Sequence, residues 1–215
     1  MTEKGNYIPA LKFGFLTALF DPFLRIFIPE IKFKEAVIKQ AEIKSIARVL
    51  DFGCGTGTMV ILMKSKYPDT LITGIDIDRD ILKIAANKVA DRGLKIKLDH
   101  YQGSSLPYPD HYFDRVVSSL VFHHLTSDQK LAVLKEIRRV LKPGGTLHIG
   151  DLGKPRNFLM KAIAQFLKRF EPIEDNIQGL LPEFMEKSGF EAVTETQYFN
   201  TALGTLSIYK GDKLQ

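Results

Sequence analysis

From residue 48 the chain reads Arg48-Val-Leu-Asp-Phe-Gly-Cys-Gly-Thr-Gly57, a short apolar run that stops at a carboxylate and opens into three glycines on alternate positions. A helix-period segment follows at 59–66. Strand, glycine loop and helix in that order are the opening of a βαβ unit. The pattern continues outward: apolar runs at 70–75, 95–100, 115–119 and 146–150 alternate with helical segments at 80–91 and 127–141. Such alternation predicts an α/β fold with a parallel sheet.

Punctuation sits where this reading needs it. Tyr67-Pro68-Asp69 closes one helix, Gly93 offers a C-cap to the next, and Lys142-Pro143-Gly144-Gly145 turns the chain from helix to strand. On the helix begun by Thr126 or Ser127, Leu131, Leu134, Ile137 and Leu141 share one face, with Lys130, Lys135 and Arg138 expected outside. A helix at 181–188, a stop at Gly189 and strands at 191–199 and 205–209 complete the chain, the last two an antiparallel pair. One domain is expected. It divides into an N-terminal helical cap (1–40), a cofactor-binding half (41–152), a helical lid (153–188) and the C-terminal strands (189–215).

The chain has 215 residues, 45% of them hydrophobic, enough to bury a real core. A single cysteine excludes an intramolecular disulfide framework and a thiolate-rich zinc site, and fits a reducing, cytoplasmic compartment. No secretory signal is legible, and Asp21, Pro22 and Arg25 break the apolar run at 13–28 before it could span a bilayer. Part of the net charge of +5 is local: Lys154, Arg156, Lys161, Lys168 and Arg169 fall in a stretch without an acid. That stretch is either a solvated helix face or a contact for an anionic surface.

What the glycine loop holds follows from its neighbours. A nucleotide phosphate loop needs four residues between its glycines and then a lysine, and Thr58-Met59 stands there instead. A dinucleotide fingerprint needs its third glycine one residue later. Asp51, at the end of the first strand, repels pyrophosphate and attracts an ammonium or sulfonium. Asp76, at the end of the next, can accept both hydroxyls of a ribose. A cofactor with a ribose, a positive charge and close backbone contact is S-adenosylmethionine.

Four ordered motifs, Val49 to Gly57, Gly74-Ile-Asp-Ile-Asp78, Leu106-Pro-Tyr-Pro-Asp-His-Tyr-Phe-Asp114 and Val140-Leu-Lys-Pro-Gly-Gly145, closely resemble class I S-adenosylmethionine-dependent methyltransferases over residues 45–150. The likeness is strongest to the small-molecule branch that includes the ubiquinone/menaquinone C-methyltransferases. It implies a Rossmann-like seven-stranded sheet, mostly parallel, with helices on both faces and a reversed last strand. It also implies cofactor contacts from Asp51, Gly53, Cys54, Gly55, Gly57, Asp76, Ile77, Ser104, Ser105 and Ser119. Ser104 stands where the family often has an Asp for the adenine. The quinone enzymes' own motif after the fourth strand is missing, which argues against a quinone acceptor. So is the Asp/Asn-Pro-Pro-aromatic motif, which argues against amino-methylation of nucleic-acid bases or protein glutamine.

Cys54 has no basic neighbour in the loop to activate it, and its reading is packing between glycines. His123 and His124 follow the fourth strand at the edge where open parallel sheets bind ligands. Either could be a general base, or both could cap the next helix and fix the loop. Two adjacent histidines do not make a metal site, and none is expected. The aromatic N-terminus and the apolar stripe Phe158, Leu159, Ala162, Ile163, Phe166, Leu167 and Phe170 are expected to form a greasy lid, or else plain packing or a dimer contact. The expected acceptor is a small, apolar or lipid-like molecule, with peripheral membrane contact as an accompanying reading and a monomer or homodimer as the assembly. Nucleic acid is not expected, because the basic residues lack interleaved stacking aromatics. The alternatives are a silent cofactor-binding module, a lipid or RNA methyltransferase, and an NAD-linked oxidoreductase.

Overall fold

The computed structural model describes residues 30–103, 105–169, 173–202 and 204–215. The expected cap before residue 30, Phe170 and Ser104 lie outside the described residues. The elements are α1 (Glu30–Gln40), β1 (Arg48–Phe52), α2 (Thr58–Lys66), β2 (Leu71–Asp76), α3 (Arg79–Ala90), β3 (Lys97–His100), β4 (Phe113–Ser119), a 3₁₀ turn (Phe122–His124) and α4 (Ser127–Val140). They continue with β5 (Leu141–Leu152), α5 (Phe158–Leu167), α6 (Glu174–Gln178), α7 (Leu181–Lys187), β6 (Glu191–Thr201) and β7 (Gly204–Lys213).

The described strands make one seven-stranded sheet in the order β3-β2-β1-β4-β5-β7-β6. β1 to β5 are parallel, and β7 runs antiparallel to both β5 and β6. The central strands are buried on both faces, so β1 is apolar at Val49, Leu50 and Phe52 even though its side chains alternate. Val49 faces a core with Phe33 and Val37 of α1 and Met59 and Met63 of α2, whereas Leu50 and Phe52 face Leu134 and Ile137 of α4 and Phe184 of α7. The strand order, not the chain direction, reverses between β1 and β4: the chain winds from β1 out to β3 on one side and from β4 to β5 on the other, and that switch opens the crevice at the carboxyl edge where ligands of such sheets sit.

Four details differ from the sequence reading. Lys142-Pro143-Gly144-Gly145 does not precede β5 but bulges out of it: Leu141 pairs with Phe113 and Thr146 with Arg115, while Gly144 takes φ 75°. Lys130 is fully buried, because Asp175 of the unforeseen helix α6 receives its ammonium at 3.0 Å and the Phe184 ring lies beneath it. β7 runs on to Lys213, whose ammonium donates to the carbonyls of Arg138 and Leu141 at 2.7 Å. On α5 the inward residues are Met160 and Ala164, and much of the expected stripe faces out.

Gly53 shows why the loop after β1 needs glycine. Its φ is 71°, and a Cβ there would stand 2.3 Å from Cγ2 of Val121. Gly53→Ala should therefore combine left-handed strain with overpacking, a cost of about 2–5 kcal/mol. The expected result is a lower urea midpoint together with weaker S-adenosylhomocysteine binding, checked by denaturation and calorimetry.

Candidate active site

Three strands end in aspartate at the same edge of the sheet: β1 with Asp51 just before its last residue, β2 with Asp76, and β5 with Asp151. The register fixes them side by side, with Asp51 opposite Gly74 and Val117, and Ser119 opposite Gly150. Each carboxylate has a different environment.

Asp51 is 1% exposed, and neither of its oxygens has a hydrogen-bond partner among the described residues. Burial pushes its pKa up to about 7, against a lowering pull from Lys34 of α1 and a further push from Asp76. A buried, unsatisfied carboxylate is costly, and a cation closing on it would remove that cost. Asp76 is partly satisfied: Oδ2 accepts the Gly55 N–H at 2.8 Å and Oδ1 the Asp78 N–H at 3.0 Å, and each oxygen keeps a further lone pair that a diol could use. Between them the glycine loop is pinned by the N–H groups of Gly53 and Cys54, which both donate to the Ile75 carbonyl. Among the described residues nothing lies within 4 Å of where a Cβ on Gly55 would be, so toward them the loop presents bare backbone. Gly57 begins α2 in the left-handed conformation.

Cys54 points the other way. Its side chain is buried in the core, where Gly74 leaves room for the sulfur, and burial followed by the charges of Asp51 and Asp76 pushes the thiol pKa up. An inert packing role results, with only the backbone of Cys54 in the loop. Ile77 is partly exposed beyond β2, Ser105 is exposed beyond β3, and the hydroxyl of Ser119, at the end of β4, is buried without a partner among the described residues.

Asp151 was not foreseen as a site residue, yet it organises the β4 side. Its Oδ2 accepts the N–H groups of Val121 and Phe122 at 2.9 and 2.7 Å. Its Oδ1 accepts from His123 Nδ1 and from the Leu152 N–H, both at 2.7 Å, and from the Asn176 amide at 3.3 Å. Burial raises its pKa, but the charge and hydrogen bond of His123 and the Leu152 N–H outweigh it and hold the carboxyl below its ordinary value. The His124 ring stands 3.9 Å from that of His123, and burial, then His123, pushes its pKa down to about 4. Among the described residues no group of three or more His, Cys, Asp or Glu could hold a metal ion. A signal for Asp151 was present in the sequence: it ends an apolar strand as Asp76 does.

A parallel sheet with one reversed strand, a glycine loop after its first strand and a carboxylate at the loop's foot that is unsatisfied among the described residues fit the class I S-adenosylmethionine-dependent methyltransferases that the sequence motifs resemble. A family model described as a methyltransferase domain matches residues 49–145. The chain is 29% identical to a ubiquinone/menaquinone biosynthesis C-methyltransferase of Pseudomonas putida across 84% of this chain and 78% of that protein. It is 32% identical to a demethylmenaquinone methyltransferase of Geobacillus kaustophilus across 65% of this chain and 60% of that protein. In fold it is similar to a SAM-dependent methyltransferase of Aquifex aeolicus, with TM-score 0.67 and 21% identity over 90% of this chain and 97% of that one. The chain is a class I S-adenosylmethionine-dependent methyltransferase resembling the ubiquinone/menaquinone C-methyltransferase group.

Proposed function

We propose that the protein methylates a small, apolar acceptor whose nucleophilic atom gives up a proton, and that His123, oriented by Asp151, takes that proton. The observation that carries this reading is the 2.7 Å hydrogen bond between His123 Nδ1 and a fully buried carboxylate at the edge of the sheet that also holds the glycine loop. A carboxylate on Nδ1 fixes the tautomer with Nε2 as the basic atom and stabilises the imidazolium that proton transfer creates.

Asp51 would hold the cofactor's positive end, Gly53, Gly55 and Gly57 its backbone contacts, and Asp76 its ribose, with Ile77, Ser104, Ser105 and Ser119 completing the pocket. When bound, S-adenosylmethionine supplies an electrophilic methyl group on a sulfonium. The chain's own part is alignment, exclusion of water and acceptance of a proton. The names of the relatives, which place them in quinone biosynthesis, support an apolar acceptor. The first forty residues and α5 are the segments proposed to cover it.

Incubation with methyl-labelled S-adenosylmethionine and a cell extract, followed by solvent partition, tests the assignment. Label in a small, organic-soluble product is the expected result. Label confined to RNA or protein would overturn it.

A further inference from the structure

Helix α5 turns its apolar side chains outward. Phe158 is 87% exposed, Leu159 62% and Phe166 58%, and with exposed Ala162 they fall on one face of the helix. Met160 and Ala164, on the opposite face, are buried, and the helix packs on β7. Exposed aromatics at adjacent helical positions cost free energy in water and mark a contact surface. Neither the groove between α1 and β6 nor the basic cavity around Arg138 includes a residue of this strip.

Charge says what it touches. Arg156 is paired with Glu195 and Lys168 with Glu174, but Lys154, Lys161 and Arg169 have no carboxylate partner among the described residues and are exposed. No acid occurs between Lys154 and Arg169. Beside the start of the helix, half-exposed Tyr198 lies under the Arg156 guanidinium at 4.9 Å, an amphipathic ring of the kind that settles at headgroup level. An exposed apolar strip rimmed by cations that have no carboxylate partner among the described residues complements a fluid anionic layer.

We propose that α5 docks the protein on anionic phospholipid bilayers, with Phe158, Leu159 and Phe166 entering the headgroup boundary and Lys154, Lys161 and Arg169 contacting lipid phosphates. This goes beyond the methyl-transfer reading and stands or falls without it. Because α5 follows β5 a few residues after Asp151, docking brings the carboxyl edge of the sheet to the bilayer, where an apolar acceptor is dissolved.

The chain contains no tryptophan, so Phe158→Trp in the full chain creates a single indole reporter. With vesicles containing one-third phosphatidylglycerol, its emission should shift to the blue and be quenched by brominated acyl chains. Vesicles of phosphatidylcholine alone should give a much weaker response. Each cation near an anionic surface is worth about fivefold in partitioning, so Lys161→Glu with Arg169→Glu should lower co-sedimentation by more than about tenfold. Phe158→Ser with Phe166→Ser should lower it as far, with S-adenosylhomocysteine binding unchanged. Absence of binding, or binding in which the Phe158→Trp reporter stays in water, overturns the proposal. So does a change of sedimentation-velocity mass in the serine variant without loss of vesicle binding, which would make the strip a contact between copies of the chain.

Discussion

Asp51→Asn is expected to weaken S-adenosylhomocysteine binding by at least about thirtyfold while making the ligand-free protein more stable at pH 8. The opposite signs come from one fact, that the carboxylate is fully buried with neither oxygen satisfied among the described residues. Its pKa is about 7 in the fold against an ordinary 3.8, so between those values the folded state holds a proton that the unfolded chain releases. Stability from this group is present below about pH 4 and is lost as pH rises through 7, a swing on the order of 4 kcal/mol. Asparagine does not titrate. Urea denaturation of variant and wild type should therefore nearly coincide at pH 4 and separate progressively up to pH 8.

The same ionisation governs the ligand. A cationic group selects the charged carboxylate, so wild-type affinity should rise with pH up to about 7 and binding below that should release a proton. Calorimetry in buffers of different ionisation enthalpy measures that proton directly. Unchanged affinity of Asp51→Asn, or binding without proton release at pH 6, would show that the cofactor's positive charge is seated elsewhere.

The strands were legible because their signals are local. A doubly buried parallel strand must be apolar and β-branched, and the loops between must carry glycine or proline, so β1 to β5 and the helices between them appear in the residue pattern itself. Asp51 and Asp76 were legible for a related reason: a carboxylate that closes an apolar strand beside a glycine loop has few structural uses. The signals that failed depend on distant partners. Lys130 has the pattern of an outward lysine, and only the arrival of Asp175 forty-five positions later makes its burial tolerable. The apolar period of α5 specifies a helix but does not say which flank turns inward, and in the fold the buried residues are Met160 and Ala164 on a helix that packs on β7. Asp151 ends its strand as visibly as Asp76 does. What hid it was the absence of a glycine loop beside it, since its partners Val121, Phe122 and Asn176 come from two other segments.

Those partners make Asp151→Asn the second large effect. An amide offers one acceptor oxygen where the carboxylate has two, so either the N–H pair of Val121 and Phe122 or the group formed by His123 and Leu152 must face an NH₂. Each buried donor left unpaired costs about 1–3 kcal/mol, and two are lost in either orientation, the N–H groups of Val121 and Phe122 or, with His123 changing tautomer, the Leu152 N–H and the Asn176 amide, giving about 2–6 kcal/mol on urea denaturation. The catalytic consequence is separable. If the NH₂ turns to His123, Nδ1 must present its lone pair, the proton moves to Nε2, and the atom proposed to accept the acceptor's proton is already occupied. If the amide oxygen stays on Nδ1, the tautomer survives but the charge that stabilises the imidazolium is gone. In both cases kcat, corrected for the folded fraction, should fall by about 10²–10⁴ with little change in S-adenosylhomocysteine affinity. His123→Gln should lose the same factor while keeping most of the stability, because its amide N–H can still donate to Asp151. A folded Asp151→Asn or His123→Gln protein with kcat near wild type would reduce the pair to a structural clamp on the 3₁₀ turn and leave the proton to another acceptor.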